Sequence, residues 1–499
     1  MKTTFRLTQV ATSISLLLGS SVVIPGTALA NSCTTFSPAG TCGLTEYQMT
    51  SPLNPLPTAW YFTSPTQDAA INATAKAQNI YFASGSSSRQ ANDIQQLLVD
   101  GANLGGHYIN ASKTGSAAIT LANNAVVDWI EAGGALTNTR IIIDHSTLNG
   151  ANAAVDYDKT NKATYSKNYA RGNAIYLAPA DSGNTDIDII NGSQITGRIY
   201  AGGAGTHDVT LENSAIQAGG ILLYSTKNRN DVHVVNSEIS TTGAGIATSN
   251  AIEITNLART DSTNTIAIED SQITGSVAVS STGSNNILAV NDSAITKTNQ
   301  TDGNAISLKN GATTQLTLNN AQIAGHALLS GSGSTAATID HSQIDGNVIA
   351  NNAALIAFDI THSVLNGNID ASTGSGIVAL HLTDSSVSGD VNLSGTSVKE
   401  SNVWLNRSDV QGHLFGSGQN STLHLDGFSQ FNGEKFSQFS ALNIAGNLNL
   451  AGGFTDTNVG AGLSVKGETL TAPIKLTAGN LTFDKTKLIA DTLSLSSGA

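Results

Sequence analysis

Residues 315–415 contain five copies of one short motif, and this repeat constrains the fold more than any other feature of the chain. The copies read QLTLNNAQIAGHAL, ATIDHSQIDGNVI, AFDITHSVLNGNI, ALHLTDSSVSGDV and NVWLNRSDVQGHL. Their anchor residues, Ala321, Ser342, Ser363, Ser385 and Ser408, follow one another at intervals of 21, 21, 22 and 23 residues. A nearly fixed period of this size predicts a solenoid in which each copy forms one coil.

The apolar positions within each copy predict strands. Apolar residues fall three and five positions before the anchor and two and six positions after it, and Gly stands four positions after it. Corners are predicted at the polar pair before the anchor and at the Gly, which tolerates positive φ. Each coil then holds three short strands, and about 22 residues at roughly 3.3 Å per residue travel roughly 70 Å around it. We therefore expect an all-β fold, a right-handed parallel β-helix of triangular coils.

The same pattern extends upstream, to a total of eleven copies. The further anchors are Ser146, Ser193, Ser214, Ser237, Ser271 and Ser293. An aliphatic residue stands three positions before every anchor, as Ile143 does before Ser146 and Ile190 before Ser193. Stacked coil on coil, these residues are predicted to form a continuous buried column, in which each side chain contributes about 1.5 to 3 kcal/mol.

The composition agrees with many strands joined by tight corners, and it restricts the partners. The chain has 49 Gly against 8 Pro, and only 12% of its residues are charged. Its net charge is −13, which is unfavourable for binding to a phosphate backbone. We therefore expect no nucleic-acid partner.

Residues 1–30 have the pattern of a secretory signal peptide. Lys2 and Arg6 precede a mostly apolar core, and Ala28-Leu29-Ala30 forms a small-residue cleavage site. The alternative is an uncleaved membrane anchor, for which the apolar core is short and interrupted by Ser and Gly. The signal peptide predicts export through the periplasm.

The only two cysteines, Cys33 and Cys42, follow this segment. In an oxidising compartment such a pair is expected to close a small local disulfide. The alternative is a redox or metal site, although no His and no third Cys lies nearby.

Residues 31–116 lack the repeat and are predicted to cap the first coil, since an uncapped β-helix exposes a sheet edge. Within them Ala91, Ile94, Leu97 and Leu98 have helical spacing and predict one short amphipathic helix. The alternative is a separate ligand-binding module. We assign the β-helix to residues 117–499.

An insertion loop at about 151–172 interrupts the coils, because Ser146 and Ser193 are separated by one coil more than expected. Loops that project from a rigid solenoid are common places for contact, and Tyr combined with basic groups suits polar or anionic ligands. The loop is therefore a candidate binding site, with a solvated surface loop as the alternative. Its candidate residues are Tyr157, Lys159, Lys162, Tyr165, Lys167, Tyr169 and Arg171.

Candidate catalytic patterns are weak. The tripeptides Asp144-His145-Ser146 and Asp340-His341-Ser342 read as triads, but adjacent residues of an extended segment point to opposite faces, so we interpret them as corner residues of the repeat. No nucleophile elbow, zinc helix or phosphate-binding loop is found. We expect no catalytic residue, no metal ligand and no cofactor.

A carbohydrate-active β-helix enzyme, either a polysaccharide lyase or a glycoside hydrolase, remains the alternative. Such enzymes need two or three carboxylates on one face of consecutive coils. Here the acidic residues just before the anchors are predicted to spread along a corner column. They are Glu212, Glu269, Asp270, Asp292, Asp340 and Asp384.

A signal peptide followed by a solenoid rich in Gly, Asn, Ser and Thr, with two closely spaced cysteines, resembles the passenger region of bacterial autotransporters of the pertactin and AIDA adhesin type. The resemblance implies display at the cell surface or secretion, and a role in adhesion, self-aggregation or biofilm formation. It implies as partners the molecules of a host or neighbouring cell, or further copies of the chain. Export would use an outer-membrane β-barrel, which no segment here resembles, so we expect that this chain is a fragment, that the barrel is another chain, or that the protein is released.

Overall fold

In a computed structural model of the chain, the structure describes residues 54–56, 59–61, 68–73, 79–82, 94–111, 115–134, 136–150, 172–179, 183–225, 229–242, 250–256, 262–298, 303–418, 420–455, 459 and 462–496. Strands account for 67% of the described residues and form parallel β-solenoid coils, about 15 turns in this part of the chain. The predicted all-β parallel β-helix is thereby confirmed. Within the described residues, no helix combines the length and the hydropathy that crossing a membrane requires.

The chain divides into two compact units. The amino-terminal unit comprises the described residues within Val22–Ser284 and Ile295–Thr301, and the carboxy-terminal unit those within Asn285–Ala294 and Asp302–Ala499. The strands of the amino-terminal unit are β1 (Asn54–Leu56), β2 (Ala59–Tyr61), β3 (Asp68–Asn72), β4 (Asn79–Tyr81), β5 (Ile94–Asp100), β6 (Asn103–Asn110), β7 (Gly115–Ala122), β8 (Val126–Gly134), β9 (Leu136–Asp144), β10 (Thr147–Asn149), β11 (Asn173–Pro179), β12 (Asn184–Ile190), β13 (Gln194–Thr196), β14 (Arg198–Gly203), β15 (His207–Glu212), β16 (Ala215–Gln217), β17 (Ile221–Ser225), β18 (Asn230–Val235), β19 (Glu238–Ser240), β20 (Asn250–Asn256), β21 (Thr263–Glu269), β22 (Gln272–Thr274) and β23 (Ser276–Ser281).

The carboxy-terminal unit contains the most regular copies of the repeat. Its strands are β24 (Asn285–Asn291), β25 (Ala294–Thr296, whose residues divide between the units), β26 (Asn304–Asn319), β27 (Gln322–Ala324), β28 (His326–Asp340), β29 (Gln343–Ile344), β30 (Val348–Asn351), β31 (Leu355–Thr361), β32 (Val364–Leu365), β33 (Ile369–Asp370), β34 (Ile377–Thr383), β35 (Ser386–Val387), β36 (Val391–Asn392), β37 (Glu400–Asn406), β38 (Asp409–Val410), β39 (Leu414–Phe415), β40 (Ser421–Asp426), β41 (Gln430–Asn432), β42 (Phe436–Ser437), β43 (Ala441–Ile444), β44 (Asn447–Ala451), β45 (Leu463–Lys466), β46 (Thr469–Thr471), β47 (Ile474–Leu476), β48 (Leu481–Asp484), β49 (Lys487–Ile489) and β50 (Leu493–Leu495). One 3-10 turn, Gly433–Lys435, precedes β42.

Three strands make up a coil, as the strands β31, β32 and β33 illustrate. Each pairs in parallel with the equivalent strand one coil later, so that β31 pairs with β34, β32 with β35 and β33 with β36. The register brings Ile360 opposite Leu382 and Leu365 opposite Val387. All four side chains are 0% exposed. The aliphatic positions of the repeat therefore form the buried columns that the sequence predicts.

A ladder of serine hydroxyls explains why Ser occupies the anchor position. In the carboxy-terminal unit the backbone N–H of Ser342 donates to Ser363 Oγ at 3.0 Å, and that of Ser363 donates to Ser385 Oγ at 3.0 Å. Each hydroxyl in turn donates to the carbonyl two residues earlier, as Ser363 Oγ does to Thr361 at 2.7 Å. The amino-terminal unit repeats this arrangement from Ser146 to Ser271. The hydroxyl thus satisfies backbone groups that the corner removes from the strand ladder.

The residue just before the anchor adopts the left-handed conformation, which confirms the predicted corner. Its φ is 47° at His341, 48° at His362 and 49° at Asp384. At the Gly four positions after the anchor, the predicted positive φ is found at Gly325 but not at Gly367. Gly325 has a φ of 143°, but at Gly367 an added Cβ would lie 2.3 Å from the carbonyl oxygen of Gly346 in the preceding coil. Close approach of two coils excludes a side chain at Gly367.

The amino-terminal unit corrects two expectations about residues 31–116. The predicted amphipathic helix is wrong, because Ile94–Asp100 is the strand β5 and pairs in parallel with β3 and β7. Its half-buried, alternating side chains fit a strand against a core better than a surface helix. Parallel pairing therefore begins upstream of residue 117, at Ala59–Tyr61, which pairs in parallel with Asn79–Tyr81. Upstream of it, β1 pairs antiparallel with β2.

The register also corrects one position of the repeat. Ile143 lies opposite Ile189, and not opposite the predicted Ile190, which lies beside Asp144. The next corner contains one extra residue, with Asn191 at φ 57° and Gly192 at φ 80°. Because of this residue Ser193 Oγ donates to the carbonyl three residues earlier, that of Ile190, at 2.7 Å.

Candidate functional site

Several predicted features lie outside the described residues. These are the signal peptide of residues 1–30, the pair Cys33 and Cys42, and the candidate binding loop from Tyr157 to Arg171. The structure therefore leaves these predictions as they stand.

The two tripeptides that resemble a triad occupy corners of the solenoid. Ser146 Oγ donates to the backbone carbonyl of Asp144 at 2.7 Å, and Ser342 Oγ donates to that of Asp340 at 2.7 Å. Each hydroxyl is thus bound to main chain instead of to an imidazole, and Ser146 and Ser342 are 3% and 4% exposed. A catalytic nucleophile needs a base within hydrogen-bond reach. Neither Ser146 nor Ser342 has the position of a nucleophile.

Carboxylates converge in the amino-terminal unit, on the outward side of three consecutive coils. Asp186 of β12 lies opposite Arg140 of β9 on one side and opposite Asp208 of β15 on the other. Asp188 follows Asp186 on the same face of β12, and Asp231 of β18 lies opposite Asp208. We call Asp186, Asp188, Asp208 and Asp231 the carboxylate cluster. Neighbouring strands are about 4.8 Å apart, so the group spans three coils.

Arg140 is the cation nearest to one end of the carboxylate cluster. Its Nε lies 3.3 Å from Asp186 Oδ2, and its terminal nitrogen lies 3.4 Å from Asp188 Oδ2. The Asp186 side chain is 50% exposed, whereas that of Asp188 is 18% exposed. At the other end, Asp231 is 1% exposed and pairs with Arg229. The cluster therefore opens to solvent mainly at Asp186.

Burial and mutual repulsion shift the acidity of the cluster. Burial, reinforced by the charge of Asp188 and opposed by Arg140, raises the pKa of Asp186 to about 6. Burial also raises the pKa of Asp188, although Arg140 lowers it in part. The pKa of Asp208 is raised by burial first and by Asp231 second. A carboxyl group with a pKa raised toward neutrality, beside further carboxyl groups, is a pairing that general acid–base chemistry uses.

The sequence predicted acidic residues only along the corner column, just before the anchors, and the carboxylate cluster lies outside that column. The corner acids are placed as predicted, since Asp270, Asp292 and Asp384 have φ values of 48° to 49° at that position. The cluster instead uses outward positions within the long strands. Asp186 and Asp188 are two residues apart and Asp208 stands one coil after Asp186, a spacing that was available as a signal.

A second cluster of chemistry-bearing side chains is aromatic and lies in the carboxy-terminal unit. His381, Trp404 and His424 occupy equivalent positions of β34, β37 and β40. Their rings stack, with centroids 4.1 Å apart for His381 and Trp404 and 4.8 Å apart for Trp404 and His424. Burial lowers the pKa of His381 and, more strongly, that of His424, to about 4. Because the two imidazoles cover both faces of the indole, Trp404 offers no ring face to a sugar.

A third cluster lies on the corner column of the carboxy-terminal unit. His341 Nδ1 lies 2.9 Å from Asp340 Oδ1, and His362 Nδ1 lies 3.4 Å from the same oxygen. Arg407 binds Asp384 through two nitrogens, at 2.7 and 2.6 Å. His341, His362 and Arg407 are exposed.

No family model matches the chain, and no curated protein and no solved structure matches it.

Proposed function

We propose that the chain is an autotransporter-type passenger, displayed at the cell surface or secreted, that acts in adhesion, self-aggregation or biofilm formation through the polar surface of its β-helix. The observation that carries this proposal is a polar face in the carboxy-terminal unit, on the side of the coils formed by β29, β32, β35 and β38. We define the polar face by the exposed residues Gln343, Asp345, Asn366, Ser388 and Gln411.

Few of the polar face's backbone groups are left to bind a partner. Backbone N–H groups there donate to the preceding coil, as Asp345 does to the carbonyl of Ile323 and Asn366 to that of Ile344, both at 2.8 Å. Side chains are ordered by bonds within and between coils, since Gln343 of the same coil and Asn366 of the next coil donate to Asp345 Oδ1, at 2.8 and 2.7 Å. These donors lower the pKa of Asp345. Its carboxylate remains ionised and presents acceptors at the surface.

A periodic row of amide, hydroxyl and carboxylate groups suits weak contacts that add up. Each hydrogen bond contributes only about 0.5–1.5 kcal/mol net, but contacts repeated coil after coil act as linked binding sites. The matching partner is another surface with repeated polar groups, either a glycan, a protein of a neighbouring cell or a second copy of this chain. The net charge of −13 opposes a nucleic acid as partner.

Export supports the same proposal. The leader pattern of residues 1–30 directs a chain to the periplasm, and an outer-membrane β-barrel would carry it to the surface. A solenoid suits this route because each coil contacts only its neighbours and can fold as it emerges.

Display on cells tests the proposal. The chain is expressed with an export barrel, surface levels are equalised with an epitope tag, and settling of the culture and retention on a surface are measured. We expect faster settling or stronger retention than with the barrel alone, and loss of most of the effect in Gln343→Ala/Asn366→Ala/Gln411→Ala. Cells that behave like the barrel-only control at equal display would refute the proposal.

A matched control separates the polar face from general damage to the coils. Thr338→Ala/Thr361→Ala/Thr383→Ala removes three partly exposed hydroxyls from the long-strand side of the same coils. This control variant should settle like the wild type. Equal loss in both triple variants would assign the effect to the solenoid as a whole and not to the polar face.

The carboxylate cluster favours a second candidate function, a carbohydrate-active enzyme. Asp186, with its pKa raised to about 6, would serve as the proton donor, and Asp208 one coil away as the second carboxyl group. Glycoside hydrolases hold two carboxyl groups about 5–9.5 Å apart, a range that adjacent and next-adjacent coils cover. Arg140, which pairs with the carboxylate of Asp186, would bind the carboxylate of an acidic sugar in its place.

Purified protein incubated with neutral and acidic polysaccharides tests this candidate. Release of reducing ends indicates hydrolysis, and ultraviolet absorbance of an unsaturated sugar indicates elimination. Asp186→Asn and Asp208→Asn should each lower the rate at least about 100-fold, whereas Asp270→Asn, at an exposed corner, should leave it unchanged. Equal rates in all three variants would exclude the cluster as a catalytic site.

A further inference from the structure

Two histidines and one aspartate of the carboxy-terminal unit meet on one corner of the solenoid. Asp340 and His341 are adjacent residues, and His362 occupies the position of His341 one coil later. The Nδ1 atoms of His341 and His362 lie 2.9 and 3.4 Å from Asp340 Oδ1. The two imidazoles stack with centroids 4.5 Å apart. Three potential ligand atoms therefore lie within 4.8 Å of one another.

The backbone fixes these side chains before any ligand arrives. His341 and His362 have left-handed φ values of 47° and 48°. Their N–H groups donate to the carbonyls of Thr361 and Thr383, at 3.1 and 3.0 Å. The serine ladder runs directly beside them, with Ser342 donating to Ser363 Oγ. The separation of the imidazoles is thus set by the coil spacing, so little conformational entropy is lost on binding.

Asp384 gives His362 a defined orientation. Its Oδ2 lies 3.8 Å from His362 Nε2, and Arg407 holds the same carboxylate through two hydrogen bonds. A histidine that ligates a metal commonly faces a carboxylate with its second ring nitrogen. Asp384 and Arg407 therefore turn His362 so that Nδ1 faces Asp340 and His341.

We propose that Asp340, His341 and His362 bind one divalent transition-metal ion, of which Zn²⁺, Cu²⁺ and Ni²⁺ are the matching type. Two imidazole nitrogens and one carboxylate oxygen suit these ions and do not suit Ca²⁺ or Mg²⁺, which prefer oxygen ligands only. Metal–ligand bonds of about 2.0–2.2 Å place the ligand atoms of a tetrahedral site about 3.3–3.6 Å apart. The distances of 2.9 and 3.4 Å from Asp340 Oδ1 are close to that value.

Small rotations of the two exposed rings complete the ligand geometry. The ligand nitrogens of the two histidines lie within 4.8 Å of each other, and this distance shortens when the rings tilt toward each other. The remaining coordination position faces solvent, because both histidines are exposed. Water fills it in the isolated chain.

The amino-terminal unit supplies an internal control. Asp144-His145-Ser146 repeats the tripeptide Asp340-His341-Ser342, and His145 has the same left-handed conformation, with a φ of 50°. The coil after His145 brings Asn191 to the corner, and its side-chain amide donates to Asp144 Oδ1 at 2.8 Å. This corner has one imidazole and not two, so it does not form the same ligand set.

Isothermal titration of the purified full chain with ZnCl₂ and CuCl₂ tests the proposal. Asn replaces each histidine, because Asn already occupies this left-handed corner at Asn320. We expect His341→Asn and His362→Asn each to lose one equivalent of bound ion relative to the wild type. His145→Asn should bind like the wild type, and CaCl₂ or MgCl₂ should produce no heat of binding at this site.

Asp384→Asn tests the positioning role of the second carboxylate. We expect the affinity to fall about 10-fold with the equivalent retained. The chain has ten histidines, so the deciding quantity is the difference between variants with matching circular dichroism spectra. A wild type that binds no Zn²⁺, variants that bind as much as the wild type, or an equal loss in His145→Asn would each overturn the proposal.

Discussion

Removal of one hydroxyl from the serine ladder should weaken the solenoid at a defined coil. In Ser363→Ala the backbone N–H of Ser342 loses its acceptor, Ser363 Oγ, which lies 3.0 Å away. Ser342 and Ser363 are 4% and 1% exposed, so water does not replace the lost acceptor. The N–H remains buried without a partner.

The magnitude follows from the groups that stay unsatisfied. The carbonyl of Thr361, which accepts from Ser363 Oγ, also accepts from the N–H of His341 at 3.1 Å and keeps that bond. The hydroxyl also donates a longer bond, of 3.4 Å, to the carbonyl of Ile339, so the cost comes mainly from the Ser342 N–H. Burial of one unsatisfied amide costs about 1–3 kcal/mol, which corresponds to roughly 5- to 150-fold faster local opening.

Hydrogen exchange measured by mass spectrometry, on peptides that contain Ser342, detects this opening. Ser385→Ala should give the same result one coil later, because Ser385 Oγ accepts from the Ser363 N–H at 3.0 Å. The control is Ser388→Ala, whose side chain is exposed and whose loss should change stability by no more than about 0.5 kcal/mol. Equal exchange in Ser363→Ala, Ser388→Ala and the wild type would show that the hydroxyls do not hold the coils together.

Three further predictions follow from close contacts and shifted pKa values. Gly367→Ala places a Cβ 2.3 Å from the carbonyl oxygen of Gly346, so we expect a loss of about 1–3 kcal/mol by urea unfolding, and an unchanged midpoint would contradict the contact. Burial lowers the pKa of His207 to about 4, so the unfolded chain binds the proton more tightly and stability is lost as the pH falls below about 6.5; at pH 5 the loss is about 2 kcal/mol. His207→Asn should therefore unfold with a weaker pH dependence between pH 7 and 5 than the wild type, and parallel curves would refute the shift. The pKa of Asp186 is raised to about 6, so its contribution to stability falls as the pH rises from about 4 to 6, and Asp186→Asn should gain thermal stability relative to the wild type at pH 8 but not at pH 4. The reverse order would show that the ion pair with Arg140 outweighs burial.

Positions within one coil could be predicted from the sequence, because they depend on local parity. The anchor serines, the left-handed corner before them and the buried columns all follow from alternation and from the turn preferences of Asn, Asp and Gly. Ile143 and Ile339 are 0% exposed, as the repeat predicts. The one slip, Ile190 in place of Ile189, arose at a corner with an extra residue, where counting from the anchor fails.

Where the repeat fades, spacing alone is ambiguous. Ile94, Leu97 and Leu98 are three and four residues apart, as in a helix, but the same residues also fit an extended segment in which Leu97 and Val99 face the core, and both are buried. Pairing with β3 and β7 decides for the strand. Tertiary pairing of this kind overrides local propensity, and the local sequence of a segment does not reveal which strands it will pair with.

Clusters between coils are the features that a copy-by-copy interpretation misses. His341 and His362 each look like ordinary corner residues in their own copies, and Asp186 and Asp208 each look like ordinary surface acids. Their chemistry comes from the stacking of coils about 4.8 Å apart, which turns a repeat of 21 or 22 residues into a side-chain contact. Any two polar residues that share a position in successive copies are therefore candidates for a functional site. The better candidates are pairs whose side chains can bind the same ligand or exchange a proton. By that criterion the corner of His341 and His362 suits the proposed metal ion, whereas the carboxylate cluster, in which burial raises the pKa values of Asp186, Asp188 and Asp208, suits the proposed proton transfer.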